Sequence, residues 1–277
     1  MSGDCLSAIK HFHGKKILYY CHTIPRYLFD QREEYEKKVP KIMLYVYQFM
    51  TSRFKKAYLA DLSGIKNLVT NSKNTQKRIK YYTGRDADIL YPPVDTEFFC
   101  PNQEPTKKTY FLSFARLSSI KRVDRIVSAF RELRNEKLII TYGKNDPERQ
   151  KIADMAQGYE NIEMKLSPSD TELRELIRGA KATIYVPVDE DFGMSPVESM
   201  ACGTPVIGVN DGGLKESIID GKTGILIDPE CRPGDIGVAV GKINSTPPDT
   251  QTCLERAQEF SLEKFTLTLK NLINNKS

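Results

Sequence analysis

From Thr109 onward the chain alternates short apolar runs with stretches of helical spacing, and this alternation limits the fold more than any other feature. Thr109 to Phe114 reads as a strand, followed by helical spacing from about Arg122 to Leu133. Lys137 to Tyr142, Asn161 to Leu166, Ala182 to Val186, Pro205 to Val209 and Gly224 to Ile227 supply further strands. Helices are expected from about Pro147 to Gln157 and from Ser169, where Glu172 three residues later completes a capping box. Such alternation predicts an α/β fold: a parallel sheet with helices on both faces, taking ligands at the carboxyl ends of its strands.

The front of the chain carries fewer elements. Lys16 to Cys21 is an apolar run that suits a buried strand. A helical region follows from about Glu33 to Leu62, with Ile42, Leu44, Val46, Tyr47 and Met50 at helix-compatible positions and Pro40 marking a kink or a new start. Asn67 to Thr70 is a short strand. Ser72 to Tyr82 is a helix capped by Asn71 or Ser72, and Asp88 to Leu90 is another strand. Two prolines then fix an extended path in Tyr91 to Phe99, and polar sequence continues to about Lys108. The boundaries expected are a first domain over 1–98, a linker over 99–108, a second domain over 109–260 and a terminal segment over 261–277.

The totals suit a globular protein: 277 residues, 40% of them hydrophobic. There is no run of about 18 apolar residues to cross a membrane, and the start lacks the charged-then-apolar order of a signal peptide, so a cytosolic protein is expected. The six cysteines show no metal-ligand spacing and read as reduced thiols. His11 and His13 suit a solvated loop better than a metal pair. Met1 to Tyr91 holds 17 Lys and Arg against 8 Asp and Glu, a net of +9, which leaves −4 for the rest of a chain whose total is +5. A basic front half suits an anionic membrane surface or a phosphate-bearing acceptor, and equally an ordinary solvated face. It lacks the interleaved aromatics of a nucleic-acid module, so no nucleic-acid partner is expected.

The chemistry gathers in three places. Glu190-Asp-Phe-Gly-Met-Ser-Pro-Val-Glu198 puts two carboxylates around a glycine turn, between a strand and a helix expected over Met194 to Ala201. Carboxylates accept hydrogen bonds from sugar hydroxyls, and the free amides of a helix start accept phosphate. A nucleotide-sugar has both groups. Gly193 taken alone reads as a geometric turn; the flanking glutamates are what give it a ligand. Arg116 and Lys121, with Arg116 ending a strand and Lys121 opening the next helix, could converge on a diphosphate. As an isolated pair they read as surface charges, and their place after the first strand of the second domain strengthens them. His22 follows the first apolar run, where a doubly wound fold places site groups, although a lone histidine there is more often a packed residue.

Together these segments resemble the retaining glycosyltransferases of family 4, over nearly the whole chain. The segments that carry the resemblance are Tyr20 to Tyr27 (Tyr-Cys-His-Thr-Ile-Pro-Arg-Tyr), Asn71-Ser72, Tyr91 to Asp95, Arg116 to Asp124, Glu190 to Glu198, Ala201 to Pro205, Gly212-Gly213 with Glu216, and Asp220 to Gly224. The variant around His22 looks most like mannosyltransferases that build lipid-linked and surface polysaccharides. The resemblance implies a GT-B fold with a complete Rossmann-like carboxy-terminal domain and a truncated Rossmann-like amino-terminal one. It implies a donor site of Arg116, Lys121, Glu190, Phe192, Gly193, Met194, Ser195 and Glu198, with His22, Glu190, Arg116 and Lys121 as the catalytic set. Glu190 would meet the donor sugar, Glu198 the ribose, Arg116 and Lys121 the diphosphate, and His22 the anomeric centre. The donor would be GDP-mannose or a UDP-hexose, the acceptor a saccharide or a lipid-linked saccharide, with no metal or other cofactor required. Phe260 to Phe265 resembles the family's terminal helix, which braces the first domain.

The chain departs from the family's layout at its start, where the strand and glycine-rich loop that open the acceptor domain have no counterpart before Lys16. A fragment or shortened gene product, a complementing subunit that supplies the rest, and an inactive relative are the three expectations. A smaller departure is Thr141 to Pro147, where only Gly143 keeps the family's turn. Two functional classes follow: a hexosyltransferase that retains configuration, or a donor-binding module that serves a partner. A phosphorylase or epimerase on the same fold fits less well, because the motifs those enzymes use are not matched.

Overall fold

The computed structural model describes residues 5–11, 17–104 and 107–274. His13 lies outside them, so its relation to His11 is not described. The chain divides into two compact units, one formed by residues up to Tyr91 together with those from Leu267, the other by Pro92–Thr266.

The first unit holds a parallel sheet of three strands, β1 (Leu18–Cys21), β2 (Asn67–Thr70) and β3 (Asp88–Ile89), in that order. Its helical region is broken as Pro40 predicts: α1 (Arg32–Glu36) ends before the proline, and α2 (Lys41–Ser63) starts immediately after it. Helix α3 (Lys73–Thr83) is capped by Ser72, whose side chain accepts from the Thr75 amide at 3.0 Å, and is stopped by Gly84 at φ 70°. Tyr19, Ile24, Leu28, Leu62, Ile65, Leu68 and Ile79 form its core.

The second unit carries the alternation read from the sequence. Strands β4 (Tyr110–Ser113), β5 (Leu138–Tyr142), β6 (Ile162–Leu166), β7 (Ala180–Tyr185), β8 (Val206–Val209) and β9 (Gly224–Ile227) make one parallel sheet in the order β6-β5-β4-β7-β8-β9. Helices α4 (Val123–Glu132), α5 (Arg149–Ala156), α6 (Asp170–Arg178) and α7 (Met194–Ala201) connect successive strands, and α8 (Leu214–Ser217) lies between β8 and β9. The capping box at Ser169 and Glu172 forms as expected. Helices α9 (Pro233–Ser245) and α10 (Thr250–Gln258) follow the sheet, and α11 (Leu262–Asn274) covers the segment expected to be the terminal helix. Residues 92–104 are held to this unit. Val94 bridges to Ser261, and Arg178 donates to the Cys100 carbonyl at 2.6 Å.

The chain leaves β4 towards β5 and β6, then crosses back to place β7 on the other side of β4. The carboxyl ends of β4 and β7 therefore flank the point where the winding reverses, which is where an open parallel sheet has its crevice. Two expected placements shift here. Arg116 does not end the strand, since β4 stops at Ser113. Lys121 does not open the helix; it closes a short 3₁₀ turn (Ser119–Lys121), and Arg122 intervenes before α4.

Arg122 is the reason for the second shift. It sits in the left-handed region at φ 51°, is buried, and stitches the loops after β4 and β7 together. Its guanidinium donates to the carbonyls of Val186 (2.7 Å), Pro187 (2.8 Å) and Pro229 (2.7 Å). The Val188 amide adds a bond to the Ile120 carbonyl at 2.8 Å. Replacing Arg122 with alanine leaves buried carbonyls without donors and keeps the backbone strain. A loss of about 2 kcal/mol or more in unfolding free energy is expected from that. Arg122→Gly should recover about 1 kcal/mol of it by relieving the strain. Chemical denaturation of the two variants checks both the loss and its order; a glycine variant less stable than the alanine variant overturns the strain account.

Candidate functional site

The loops after β4 and β7 bring two of the sequence-predicted residues into direct contact. Lys121 Nζ lies 2.6 Å from Glu190 Oε2, and both side chains are largely buried. The same ammonium donates to the Tyr185 hydroxyl at 2.6 Å and stands 4.9 Å from the centre of that ring. Tyr185 is the last residue of β7, and burial, with the Glu190 carboxylate beside it, pushes its phenol well above the ordinary range. The centre is thus a Lys–Tyr–Glu cluster in which one cation is held by a carboxylate and a phenol. Sequence reading missed Tyr185 because a tyrosine at the end of an apolar strand carries no signal beyond its fit to the sheet.

The Glu190 loop is set by contact between backbones. The Gly213 amide donates to the Glu190 carbonyl at 2.8 Å. A Cβ on Gly212 would lie 2.5 Å from that carbonyl oxygen, and one on Gly213 would lie 2.3 Å from the Asp191 oxygen. Only glycine admits such an approach. Asp189, at φ 45°, donates its amide to the Asp211 carboxylate at 3.1 Å and so completes the turn.

Helix α7 opens at Gly193 (φ 82°), a residue with no side chain of its own to cap it. Pro196 falls in the first turn, where its missing N–H costs nothing. The side chain of Phe192 is turned away from this opening, buried 5.2 Å (between ring centres) from Phe260, so Phe192 presents backbone only. Met194 is exposed and Ser195 partly so. The helix is pinned from below through Ser199, which accepts from the Thr183 hydroxyl at 2.8 Å and donates to the Thr204 carbonyl at 2.9 Å.

Glu198 is not the solvated charge that a bland reading of the motif expects. It is largely buried, and that burial, with the Asp170 carboxylate adding to it, raises its carboxyl to about 7. A carboxylate held this way accepts hydroxyl donors readily, because they replace solvation it has lost.

Arg116 is not part of this cluster. Its side chain is 70% exposed and its ion-pair partner is Asp146, at 3.7 Å. Asp146 also accepts from the Leu117 amide (3.0 Å) and the Gly143 amide (2.9 Å), and so ties the loop after β4 to the turn at Gly143. His22 belongs to the first unit, exposed just past the end of β1 and 4.6 Å (between ring centres) from Tyr20. The residues after it form a polar network. Arg26 holds Asp30 at 2.6 Å, and the buried Arg78 reaches Thr23 at 3.3 Å and Asp30 at 3.5 Å. Arg78 lies on α3, too far along the chain for the motif to announce it. Among the described residues, no three His, Cys, Asp or Glu side chains gather as a metal site.

Known proteins share this layout. A family model described as glycosyl transferases group 1 matches residues 94–260. An alpha-1,3/1,6-mannosyltransferase of Dictyostelium discoideum is 26% identical over 95% of this chain and 71% of its own length. The human protein of that name is 27% identical over 91% of this chain and 66% of its own length. The mouse protein is 28% identical over 78% of this chain and 57% of its length, so the chain spans only 57% to 71% of the length of these relatives. Among solved structures, a sucrose-phosphate synthase from Thermosynechococcus elongatus aligns with a TM-score of 0.78 at 19% identity, over 97% of this chain and 70% of its own. TarM aligns with a TM-score of 0.74 at 16% identity, over 99% of this chain and 54% of its own. These structures speak for the fold, and the family model covers more than half of the sequence. By that match the chain belongs to the group 1 glycosyl transferases, with the GT-B fold.

Proposed function

We propose that the protein is a glycosyltransferase that moves a hexose, mannose in the first instance, from a nucleotide-sugar to a saccharide or lipid-linked acceptor with retention of configuration. The observation that carries this reading is the Lys121–Tyr185–Glu190 cluster beside the open start of α7, at the reversal of the sheet. The mannosyltransferase relatives support the choice of sugar, and the HepE structure from Anabaena, solved with UDP-glucose, supports the choice of donor class.

The chain's own residues suggest how such a donor is taken. A diphosphate arriving at the first amides of α7 competes with Glu190 for Lys121. Transfer of the ammonium to phosphate releases the Glu190 carboxylate to accept from the sugar hydroxyls. Lys121 therefore faces an anion before and after binding, and the Glu190 carboxylate exchanges its cation for hydroxyl donors, which limits the desolvation cost. Glu198 takes the ribose hydroxyls, and Arg116, exposed and weakly held, swings to the diphosphate. These cations take the place of a divalent ion, and activity that survives a chelator is expected. Departure and attack on one face, assisted by the leaving phosphate, is the mechanism proposed. The basic first unit suits peripheral contact with an anionic membrane.

A second reading rests on the Lys121–Tyr185–Glu190 cluster lying wholly within the second unit: a donor-binding module that depends on a complementing subunit. Calorimetry with GDP- and UDP-sugars, run beside a transfer assay, separates the two. Transfer supports the enzyme, whereas binding without transfer or donor hydrolysis assigns the module.

Two further outcomes test the site. Lys121→Ala should lower kcat/KM by roughly 100-fold or more, as loss of a buried charge aimed at a leaving group does, and Arg116→Ala with Lys121→Ala should abolish turnover. Full transfer by the double variant removes the phosphate assignment. The second outcome concerns pH. Glu198 has a raised carboxyl, and hydroxyl donors favour its ionised form, so donor binding expels a proton and tightens as pH rises. Between pH 6 and pH 8 the Kd should fall by roughly tenfold, one decade for the one unit by which pH 6 lies below a carboxyl titrating at about 7. Glu198→Gln should bind more weakly and show a flat profile. A flat wild-type profile, or one that slopes the other way, removes Glu198 from the ribose.

A further inference from the structure

The first half of α2 wears its apolar face outward. At about 3.6 residues per turn, Ile42, Tyr45, Val46 and Phe49 fall along one side together with Arg53, and Met43, Met50 and Phe54 widen the same arc. Ile42 is 92% exposed, Tyr45 81% and Phe49 57%. The opposite side carries Gln48, bound to Glu36, and the buried Thr51, whose hydroxyl is satisfied by the Tyr47 and Gln48 carbonyls. A helix that buries a threonine while isoleucine, tyrosine and phenylalanine stand exposed departs from a surface helix of a globular protein, and a contiguous patch of this kind marks a contact.

The charges say what the contact is with. From Lys41 to Ala60 there is no aspartate or glutamate, whereas Lys41, Arg53, Lys55 and Lys56 are cationic. Lys55 turns inward over the Phe29 ring at 4.7 Å, but Lys41, Arg53 and Lys56 are exposed around the apolar arc, with Arg53 5.8 Å from the centre of the Phe49 ring. A second copy of this helix would bring the same cations and no carboxylate to meet them. An anionic bilayer supplies both missing partners: acyl chains for the arc and phosphates for its rim. No described helix is long and apolar enough to cross a membrane, so α2 would lie in the plane of the interface.

We propose that the outward face of α2, from Ile42 to Phe54, seats the first unit on an anionic lipid bilayer. This deepens the membrane contact proposed above by naming its surface, and it is independent of what the second unit binds. The aromatic side chains enter the boundary between headgroups and acyl chains, and Lys41, Arg53 and Lys56 pair with lipid phosphates.

The chain has no tryptophan, so Phe49→Trp gives a single reporter. Its emission should shift to the blue and be quenched by brominated acyl chains when vesicles containing phosphatidylglycerol are added. A control, Val238→Trp on α9, should respond to neither. Cosedimentation should show binding to these vesicles that weakens at least tenfold on pure phosphatidylcholine or at high salt. The triple change Ile42→Ser, Tyr45→Ser and Phe49→Ser should weaken it at least tenfold with an unchanged thermal transition. Those residues are exposed, so their loss leaves the core intact. Donor calorimetry on the triple variant should be unaltered, so a failed donor reading and a failed docking surface are told apart. Undiminished vesicle binding by the triple variant overturns the proposal. So does a wild-type protein that ignores vesicles, whether it stays monomeric or forms a dimer that the triple change dissolves.

Discussion

Everything at the candidate site hangs on one guanidinium. Arg122 donates to three carbonyls, two of them just past β7 and the third past β9, from a backbone position that disfavours any residue with a side chain. The arrangement joins the two loops that a reversal in strand order brings side by side. Parallel strands force those loops to the same end of the sheet, but they do not by themselves hold one loop to the other. A buried arginine can, because its five donors in a rigid fork satisfy several carbonyls that would otherwise lie unpaired. With the loops joined, Lys121 on one side and Glu190 on the other fall within hydrogen-bonding distance.

The pairing resolves two buried charges at once. Lys121 alone would be a largely buried, unpaired cation, and Glu190 alone a largely buried, unpaired anion. Each resolves the other's problem, and Tyr185 satisfies a further donor of the ammonium. Among the described residues, no cation is paired with Glu198. Its environment instead raises the carboxyl to about 7, so that the protein carries it partly neutral near physiological pH. Two glutamates eight residues apart thus meet the same cost of burial in different ways, one by pairing and one by protonation.

The fold was largely legible in the sequence, since buried parallel strands read as continuous apolar runs and the glycine, proline and serine punctuation falls where the chain turns. β2 and β9 match their expected bounds, as does α7, because each is flanked by a strong stop signal. The misplacement of Lys121 has a physical cause: a strained Arg122 delays the helix by two residues, and nothing local distinguishes a lysine in a 3₁₀ turn from one in the first turn of a helix. At the candidate site, Glu190, Glu198 and Gly193 are residues that speak through composition. Those that act through long-range contacts, Tyr185, Asp146 and Asp211, are silent in it. Asp146 illustrates why. It accepts from the Leu117 amide, 29 residues earlier in the chain, as well as from the nearby Gly143 amide, and one-dimensional spacing gives no hint that these loops meet.

Helix α2 shows the opposite relation between sequence and structure. Its apolar residues suit a helix, as expected, and the natural inference from such spacing is that they face a core. The structure places the polar Thr51 on the buried side and Ile42, Tyr45 and Phe49 outside. Periodicity reveals that a helix has two faces, not which of them the protein hides. Where the buried side is polar and satisfied by the helix's own carbonyls, the apolar side is free to serve a second solvent. The absence of acidic residues from Lys41 to Ala60 then matters more than the count of basic ones, because a single carboxylate in the arc would repel the phosphates that the flanking cations attract.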